Sequence, residues 1–364
     1  MSHWSTLRGH AEQREMFRRA IARGRLSQAY LFVGPDGIGK QQFARRLAQC
    51  LLCQSPGQDQ LEACGRCAGC RPFLASAHPD FLFVGCPDGK RELPIELMVG
   101  SKERRGQEGL CHDLSIRPLS GSRKVAIIDD ADLMNEASAN ALLKTLEEPP
   151  ERAMLFLIGS NLDAILPTIR SRCQLVRFAP LSVADIADLL VEQDLVPSRE
   201  EAQFAAALSE GSLTVARQLL EPELRSLRST LYLALSQPNF SGLSLSKVLF
   251  EGIDKISADT PAQRVNIHWL IRFAVEFYRA AIWRLSRDDV AVATITATIP
   301  EANTFADRIA SQPEAFEILG ALIDRTVSAA SHLDQNISVA LTLDALLDDL
   351  ARIARSVVAA RPSS

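Results

Sequence analysis

A parallel α/β sheet followed by an all-helical region is the architecture this sequence predicts, on three observations. Short apolar segments alternate with helix-like segments up to about residue 180, the pattern of a sheet covered by helices on both faces. The first apolar segment runs into a glycine-rich turn that ends in lysine and opens a helix. Beyond Pro180 the strand-like segments stop, and runs rich in Leu, Ala and Ile take over.

The strand candidates are Ala29–Val33, Phe81–Val84, Lys124–Asp129, Met154–Ser160 and Leu175–Phe178. All are short and mostly apolar, as strands buried on both faces should be. After the first comes Gly34-Pro35-Asp36-Gly37-Ile38-Gly39-Lys40. Gly34, Gly37 and Gly39 let the backbone turn and aim N–H groups at phosphate oxygens, and Lys40 adds charge for the outer phosphates. Phe43, Leu47 and Leu51 then give the next helix one face to bury. A chance glycine-rich turn is the plain alternative, but the strand–loop–helix context favours a P-loop.

Two positions depart from a hydrolysing P-loop site. Gln41 stands where a Ser or Thr hydroxyl ligates Mg²⁺. Asp129 ends its strand where an aspartate organises Mg²⁺, but Asp130 follows where a longer glutamate polarises water. Lys40 and Asp129 keep ATP binding open, while Gln41 and Asp130 argue for lost or feeble hydrolysis.

Cys53, Cys64, Cys67 and Cys70 form C-x10-C-x2-C-x2-C. Two overlapping CxxC steps make a knuckle, and Cys53 returns from the end of the preceding helix, so four thiolates can close a tetrahedral zinc shell. A redox CxxC pair and an iron–sulfur cluster are the alternatives. Cys50, one helical turn before Cys53, competes as the fourth ligand, whereas Cys86, Cys111 and Cys173 read as ordinary thiols.

Composition sets the bounds. A chain of 364 residues needs two or three cores, and 47% hydrophobic with 23% charged residues can supply them. The net charge of -4 provides no overall basic field for nucleic acid. The polar connection over 86–120 carries the cluster Lys102-Glu103-Arg104-Arg105, which reads as a solvated face or, as the alternative, a phosphate contact. The N-terminal stretch has no apolar signal core, and no apolar run reaches membrane-spanning length. The expectation is a cytoplasmic protein without membrane contact, where disulfides are rare.

Further segments complete the reading. Asn135 to Pro150 (NEASANALLKTLEEPP) reads as a helix capped by Asn135 and stopped by two prolines, and Pro167 to Cys173 reads PTIRSRC. The order of P-loop, four cysteines, DDAD, NALLKTLEEPP and SRC resembles the bacterial clamp-loader AAA+ family of DNA polymerase III. The likeness is specific over 7–180, weaker over 181–222 and only architectural beyond.

That resemblance implies an AAA+ P-loop domain at 1–180 with a parallel five-stranded sheet and a zinc-binding insert at 50–72. A helical lid at 181–222, entered through Ser182, a helical collar at 223–356 and a disordered tail at 357–364 would follow. Arg172 matches the family's arginine finger, acting in trans on ATP held by a neighbour, with Arg170 nearby as a substitute. Ser160 or Asn161 matches the polar sensor at the end of the fourth strand. Thr214 stands where catalytic members place a second sensing arginine after Gly-Ser-Leu, and Arg217 lies one turn later.

A damaged site with an intact arginine for a neighbour is the pattern of a stator-like member. Its implied partners are gamma/tau and delta subunits and, through the complex, primed DNA and the sliding clamp. The alternative is an active gamma/tau-type ATPase or another AAA+ motor of DNA metabolism.

Overall fold

The computed structural model describes residues 3–55, 61–87, 89–90, 92–120, 123–256, 260–286, 299–335 and 337–359. The chain divides into two compact units: Met1–Leu189 with Glu210–Val215, and Leu190–Ser209 with Ala216–Ser364.

The first unit is built on strands β1 (Ala29–Val33), β2 (Phe81–Val84), β3 (Lys124–Ile128), β4 (Ala153–Gly159) and β5 (Gln174–Arg177). They lie in the order β2-β3-β4-β1-β5, and every neighbouring pair is parallel. Each strand falls within one residue of its expected span. β1, β3 and β4 are buried at every position, whereas the edge strands β2 and β5 are partly exposed.

Side chains alternate across the sheet. Tyr30, Phe32 and Phe156 point to one face, where they join Phe17, Phe43 and Phe178. The rings of Phe32 and Phe178 are 5.0 Å apart, and those of Phe43 and Phe178 are 5.2 Å apart. Helices α1 (Ala11–Ala22) and α2 (Lys40–Leu52) supply Phe17 and Phe43. Phe43, Leu47 and Leu51 are all buried, as the spacing predicts.

Leu31, Val33, Ala126, Ile128, Leu155 and Leu157 fill the other face. Beyond the short helix α3 (Cys70–Leu74), the helices α4 (Ile95–Val99), α5 (Leu110–Ser115), α6 (Glu136–Glu147) and α7 (Pro167–Arg170) follow in chain order. The first two lie inside the 86–120 segment, which sequence periodicity presents only as a polar connection. Leu93, Met98, Leu110 and Leu114 are its buried anchors. Each helix is too short to show a repeat of its own. Asn135 caps α6 by accepting from Ser138 N at 3.0 Å, and Ser138 Oγ donates to Leu93 O at 2.7 Å.

Helix α8 (Val183–Glu192) begins where Ser182 Oγ accepts from Asp185 N at 3.0 Å. Next come α9 (Arg199–Leu208), α10 (Leu213–Leu219), α11 (Pro222–Ser236), α12 (Gly242–Ile256), α13 (Thr260–Ser286), α14 (Pro300–Ile309), α15 (Ala315–Asp334) and α16 (Val339–Ala359). Breaks fall at Pro238–Gly242, at Pro300 and near Pro313, and Pro261 lies in the first turn of α13, where proline's missing N–H costs least.

In the second unit Leu231, Leu249, Phe273, Phe277, Phe305, Leu319 and Leu350 are buried, one or more from each of α11 to α16. The buried guanidinium of Arg228 stacks on Phe204 at 5.0 Å and on Phe273 at 5.8 Å. Helix α16 runs to Ala359, and the rest of the expected tail, 360–364, lies outside the described residues. Among the described residues, no helix is long and apolar enough to cross a membrane.

Phe43 makes ring contacts with Trp4, Phe17, Phe32 and Phe178 and is fully buried. Phe43→Ala is expected to cost about 3–5 kcal/mol, read as a lower urea midpoint at unchanged slope.

Candidate functional site

β4 lies between β1 and β3, so the loop after β1 and the carboxylates after β3 meet at the same carboxyl-terminal edge of the sheet. In open parallel sheets this edge is where ligands sit.

The glycine-rich loop is turned as phosphate binding requires, with Gly37 at φ 73° and Gly39 at φ 96°. Its lysine is engaged internally. Lys40 is only 6% exposed, and its Nζ donates to Gly34 O at 2.6 Å and Pro35 O at 2.7 Å. Asp36 Oδ1 lies 3.6 Å away. Burial pushes the Lys40 ammonium below its ordinary pKa, partly offset by Asp36, Asp129 and Asp132.

Gln41 Nε2 donates to Asp129 Oδ2 at 2.7 Å, while Asp129 Oδ1 accepts from Asp130 N at 3.1 Å. Burial holds the Asp129 carboxyl above its usual range, and the neighbouring Asp130 adds to this. Asp130 has left-handed backbone, φ 54° and ψ 41°, and its Oδ2 accepts from Cys86 N at 3.1 Å. Ser160 Oγ donates to Asp132 Oδ2 at 2.6 Å, and the N–H groups of Ser160 and Asn161 each donate to the same oxygen at 3.0 Å.

The structure thus gathers Lys40, Gln41 and Asp129, but ties Asp130, Ser160 and Asn161 to other partners. Asp132 is the residue that sequence reasoning left without a role. It serves as the anchor of the segment after β4.

The Gly-Ser-Leu-Thr turn packs on the loop. Leu213 N donates to Gly37 O at 3.0 Å, and a Cβ at Gly37 would collide with Ser212 and Thr214. A threonine at 214 therefore abuts the loop where an arginine would otherwise bring charge. Arg217 is hydrogen-bonded to Gln193. Mg²⁺ does not fit the side chains present, because an amide donor occupies the Asp129 oxygen and no hydroxyl follows Lys40.

Arg172 lies at the other end of the sheet. It precedes β5, whose Gln174 pairs with Tyr30, whereas Gly34 follows Val33, the partner of Arg177. At roughly 3.3 Å per strand residue, Arg172 and the loop are separated by more than an arginine side chain spans. Its Nη2 lies 2.6 Å from Glu147 Oε1, and its Nη1 donates to Thr168 O at 3.0 Å and Ser171 Oγ at 3.2 Å. The side chain stays 34% exposed. Arg170 Nη1 lies 3.8 Å from Asp163 Oδ1. Glu147, from the LEEPP run that ends α6, is a partner that sequence reasoning did not single out.

The Sγ atoms of Cys53, Cys64, Cys67 and Cys70 lie within 4.8 Å of one another. Separations are 3.7 Å for Cys53–Cys64, 3.8 Å for Cys53–Cys67 and 4.0 Å for Cys64–Cys70. Four sulfurs about 2.3 Å from a common centre in a tetrahedron stand roughly 3.8 Å apart, so the cluster has the dimensions of a single-ion shell.

Burial raises the Cys70 thiol to about 12. At Cys67 burial also raises the thiol, but backbone N–H donors from Gln54 and Cys70 together with the Cys64 and Cys70 thiols outweigh it and bring it to about 6. Cys50 is not in the group; its Sγ donates to Leu61 O at 3.3 Å. Lys102, Glu103, Arg104 and Arg105 are all exposed, and Arg104 pairs with Glu108 at 2.6 Å.

A family model described as "DNA polymerase III, delta subunit" matches residues 9–182. The DNA polymerase III subunit delta' of Escherichia coli strain K12 is 32% identical over 249 residues, 68% of each chain. The delta' subunit of Bacillus subtilis strain 168 is 38% identical over 178 residues, 49% of this chain and 50% of that one, so the chain spans half of that relative. The tau subunit of Escherichia coli strain K12 is 31% identical over 211 residues, 57% of this chain and 30% of the longer tau. With the parallel P-loop sheet, the cysteine cluster and these relatives together, the chain belongs to the delta-prime family of DNA polymerase III clamp-loader subunits.

Proposed function

We propose that this chain is a largely non-hydrolysing, stator-like subunit that acts on its neighbour through Arg172. The carrying observation is that Arg172 lies at the opposite end of the sheet from the chain's own loop. It can reach a nucleotide only on another subunit. A guanidinium brought to such a site stabilises charge on the phosphates as they separate. Glu147, Thr168 and Ser171 hold one edge of that guanidinium and reduce the freedom lost on docking.

In this reading the neighbour is a gamma/tau-type ATPase and the delta subunit completes the set. The assembly, working in the cytoplasm, places a sliding clamp on primed DNA. The helices at 181–222 act as the lid and those at 223–356 as the collar that joins subunits. The rival reading, an active gamma/tau-type motor, draws on Lys40 and Asp129. The occupied contacts of Lys40, Gln41 and Ser160 speak against it.

Cys53, Cys64, Cys67 and Cys70 are read as a structural zinc site. Thiolate donors and single-ion spacing suit Zn²⁺, and four protein ligands leave no open position for catalysis.

ATP hydrolysis should be absent from the purified chain and present in its complex with gamma/tau and delta subunits. Arg172→Ala should lower turnover at the one site it serves by about 10³-fold or more, and Arg172→Lys should not restore it. Unchanged complex activity in Arg172→Ala, or robust hydrolysis by the pure chain, would sink the reading.

Elemental analysis should find about one zinc per folded chain. Cys67→Ser should lose the metal and lower the melting temperature, whereas Cys50→Ser should keep it. A folded, zinc-free wild type would refute the assignment.

A further inference from the structure

We infer that the Gln41 amide stands in for the divalent cation of a P-loop site, bridging the loop helix to Asp129 and closing this cleft to Mg²⁺. The inference concerns the chain's own cleft and does not depend on the role of Arg172.

In a hydrolysing site a cation sits between the first helical hydroxyl and the acidic strand, ligated by the hydroxyl and held by the aspartate. Here the residue after Lys40 carries N–H donors, and one donates to Asp129 Oδ2 at 2.7 Å. Loop and strand are therefore joined directly. Asp129 Oδ1 accepts from Asp130 N, and the Asp129 backbone N–H is fixed to Val84 O at 2.7 Å, so the carboxylate is positioned from both sides.

A cation approaching Asp129 would have to displace the amide donor and turn its carbonyl inward. Neighbouring groups give little help. Asp130 accepts from Cys86 N, and Asp132 Oδ2 accepts from Ser160 N, Ser160 Oγ and Asn161 N. Lys40, bonded to Gly34 O and Pro35 O, acts on Asp129 only at longer range and has Asp36 3.6 Å away. The donors that reach Asp129, Asp130 and Asp132 come from the chain itself.

The consequence is a specific one. Nucleotide affinity in this chain, whatever its size, should gain nothing from Mg²⁺. A hydroxyl at position 41 should restore the gain, since it is too short to reach Asp129 and leaves room for a hydrated ion.

The test is titration of the full-length chain with a fluorescent ATP analogue, in excess Mg²⁺ and in EDTA. Manganese electron paramagnetic resonance would report the metal directly. Wild type should bind equally under both conditions, or not at all, and should hold no Mn²⁺ with ATP. Gln41→Thr and Gln41→Ser should each bind about tenfold or more tightly with Mg²⁺ than without, and Asp129→Asn added to either should remove that gain. Tighter Mg²⁺-dependent binding or bound Mn²⁺ in wild type would overturn the inference. So would folded Gln41→Thr and Gln41→Ser proteins with no metal response. None of these outcomes bears on Arg172, whose test is hydrolysis by the complex.

Discussion

An ammonium group buried at the mouth of a parallel sheet must find its counter-charges and acceptors within the protein, since removing them from water is costly. Lys40 sets that requirement here. The loop curls so that Gly34 O and Pro35 O receive its protons. Asp36, 3.6 Å away, and then Asp129 lower the cost of charging it. Ser212 and Thr214 cover Gly37, with Leu213 N bonded to its carbonyl. In a working P-loop the lysine's partners are phosphate oxygens supplied by the ligand. Here Gly34 O and Pro35 O take two of those places from within the chain.

The two ends of the sheet therefore differ in chemistry. At the carboxyl-terminal end, each polar side chain the family would use on nucleotide is bonded to another part of this chain. At the amino-terminal end of β5, Arg172 keeps a third of its surface in water and has one carboxylate partner, itself half exposed. An exposed ion pair of this kind contributes about 0–1 kcal/mol. Glu147 can thus orient the guanidinium without holding it against a stronger, more highly charged acceptor. Burial separates the two cations: Lys40 has almost no solvent to turn to, and Arg172 does.

Much of this was legible in the sequence because burial on both faces leaves little choice of residue. Ala29–Val33 and the strands flanking it are apolar runs bounded by turn residues, so their ends were readable to within a residue. The cysteine spacing and the Asn135 cap were equally direct, since each is a local geometric device. The helices Ile95–Val99 and Leu110–Ser115 were not legible. Each spans less than two turns, so the lone buried Met98 and the single i, i+4 pair of Leu110 and Leu114 give too little pattern to read as helices. Sequence also showed that Gln41 and Asp130 were unusual, but not where their side chains would go. The bonds of Gln41 to Asp129, Asp130 to Cys86 and Arg172 to Glu147 join residues far apart in the chain, and no local pattern reports such pairs.

The cysteine module is tied to the cleft by a short mechanical path. Among the described residues between α2 and α3, only Cys53 and Leu61 are buried apolar side chains, and the Leu61 carbonyl accepts from Trp4 Nε1 at 2.6 Å. A segment this small needs a cross-link to hold one conformation. Four thiolates on one metal would join Cys53, at the end of α2, to Cys70, the first residue of α3. Gly69 lets the two approach, since a Cβ there would strike Leu52 O. Phe73 of α3 in turn rests on Phe81 of β2, with rings 4.7 Å apart, and β2 presents Val84 O to the Asp129 N–H. Fixing the knuckle therefore steadies the edge strand that holds the acidic turn. On that argument a metal held by the four cysteines would shape the cleft through packing, and would not need to approach a nucleotide to do so.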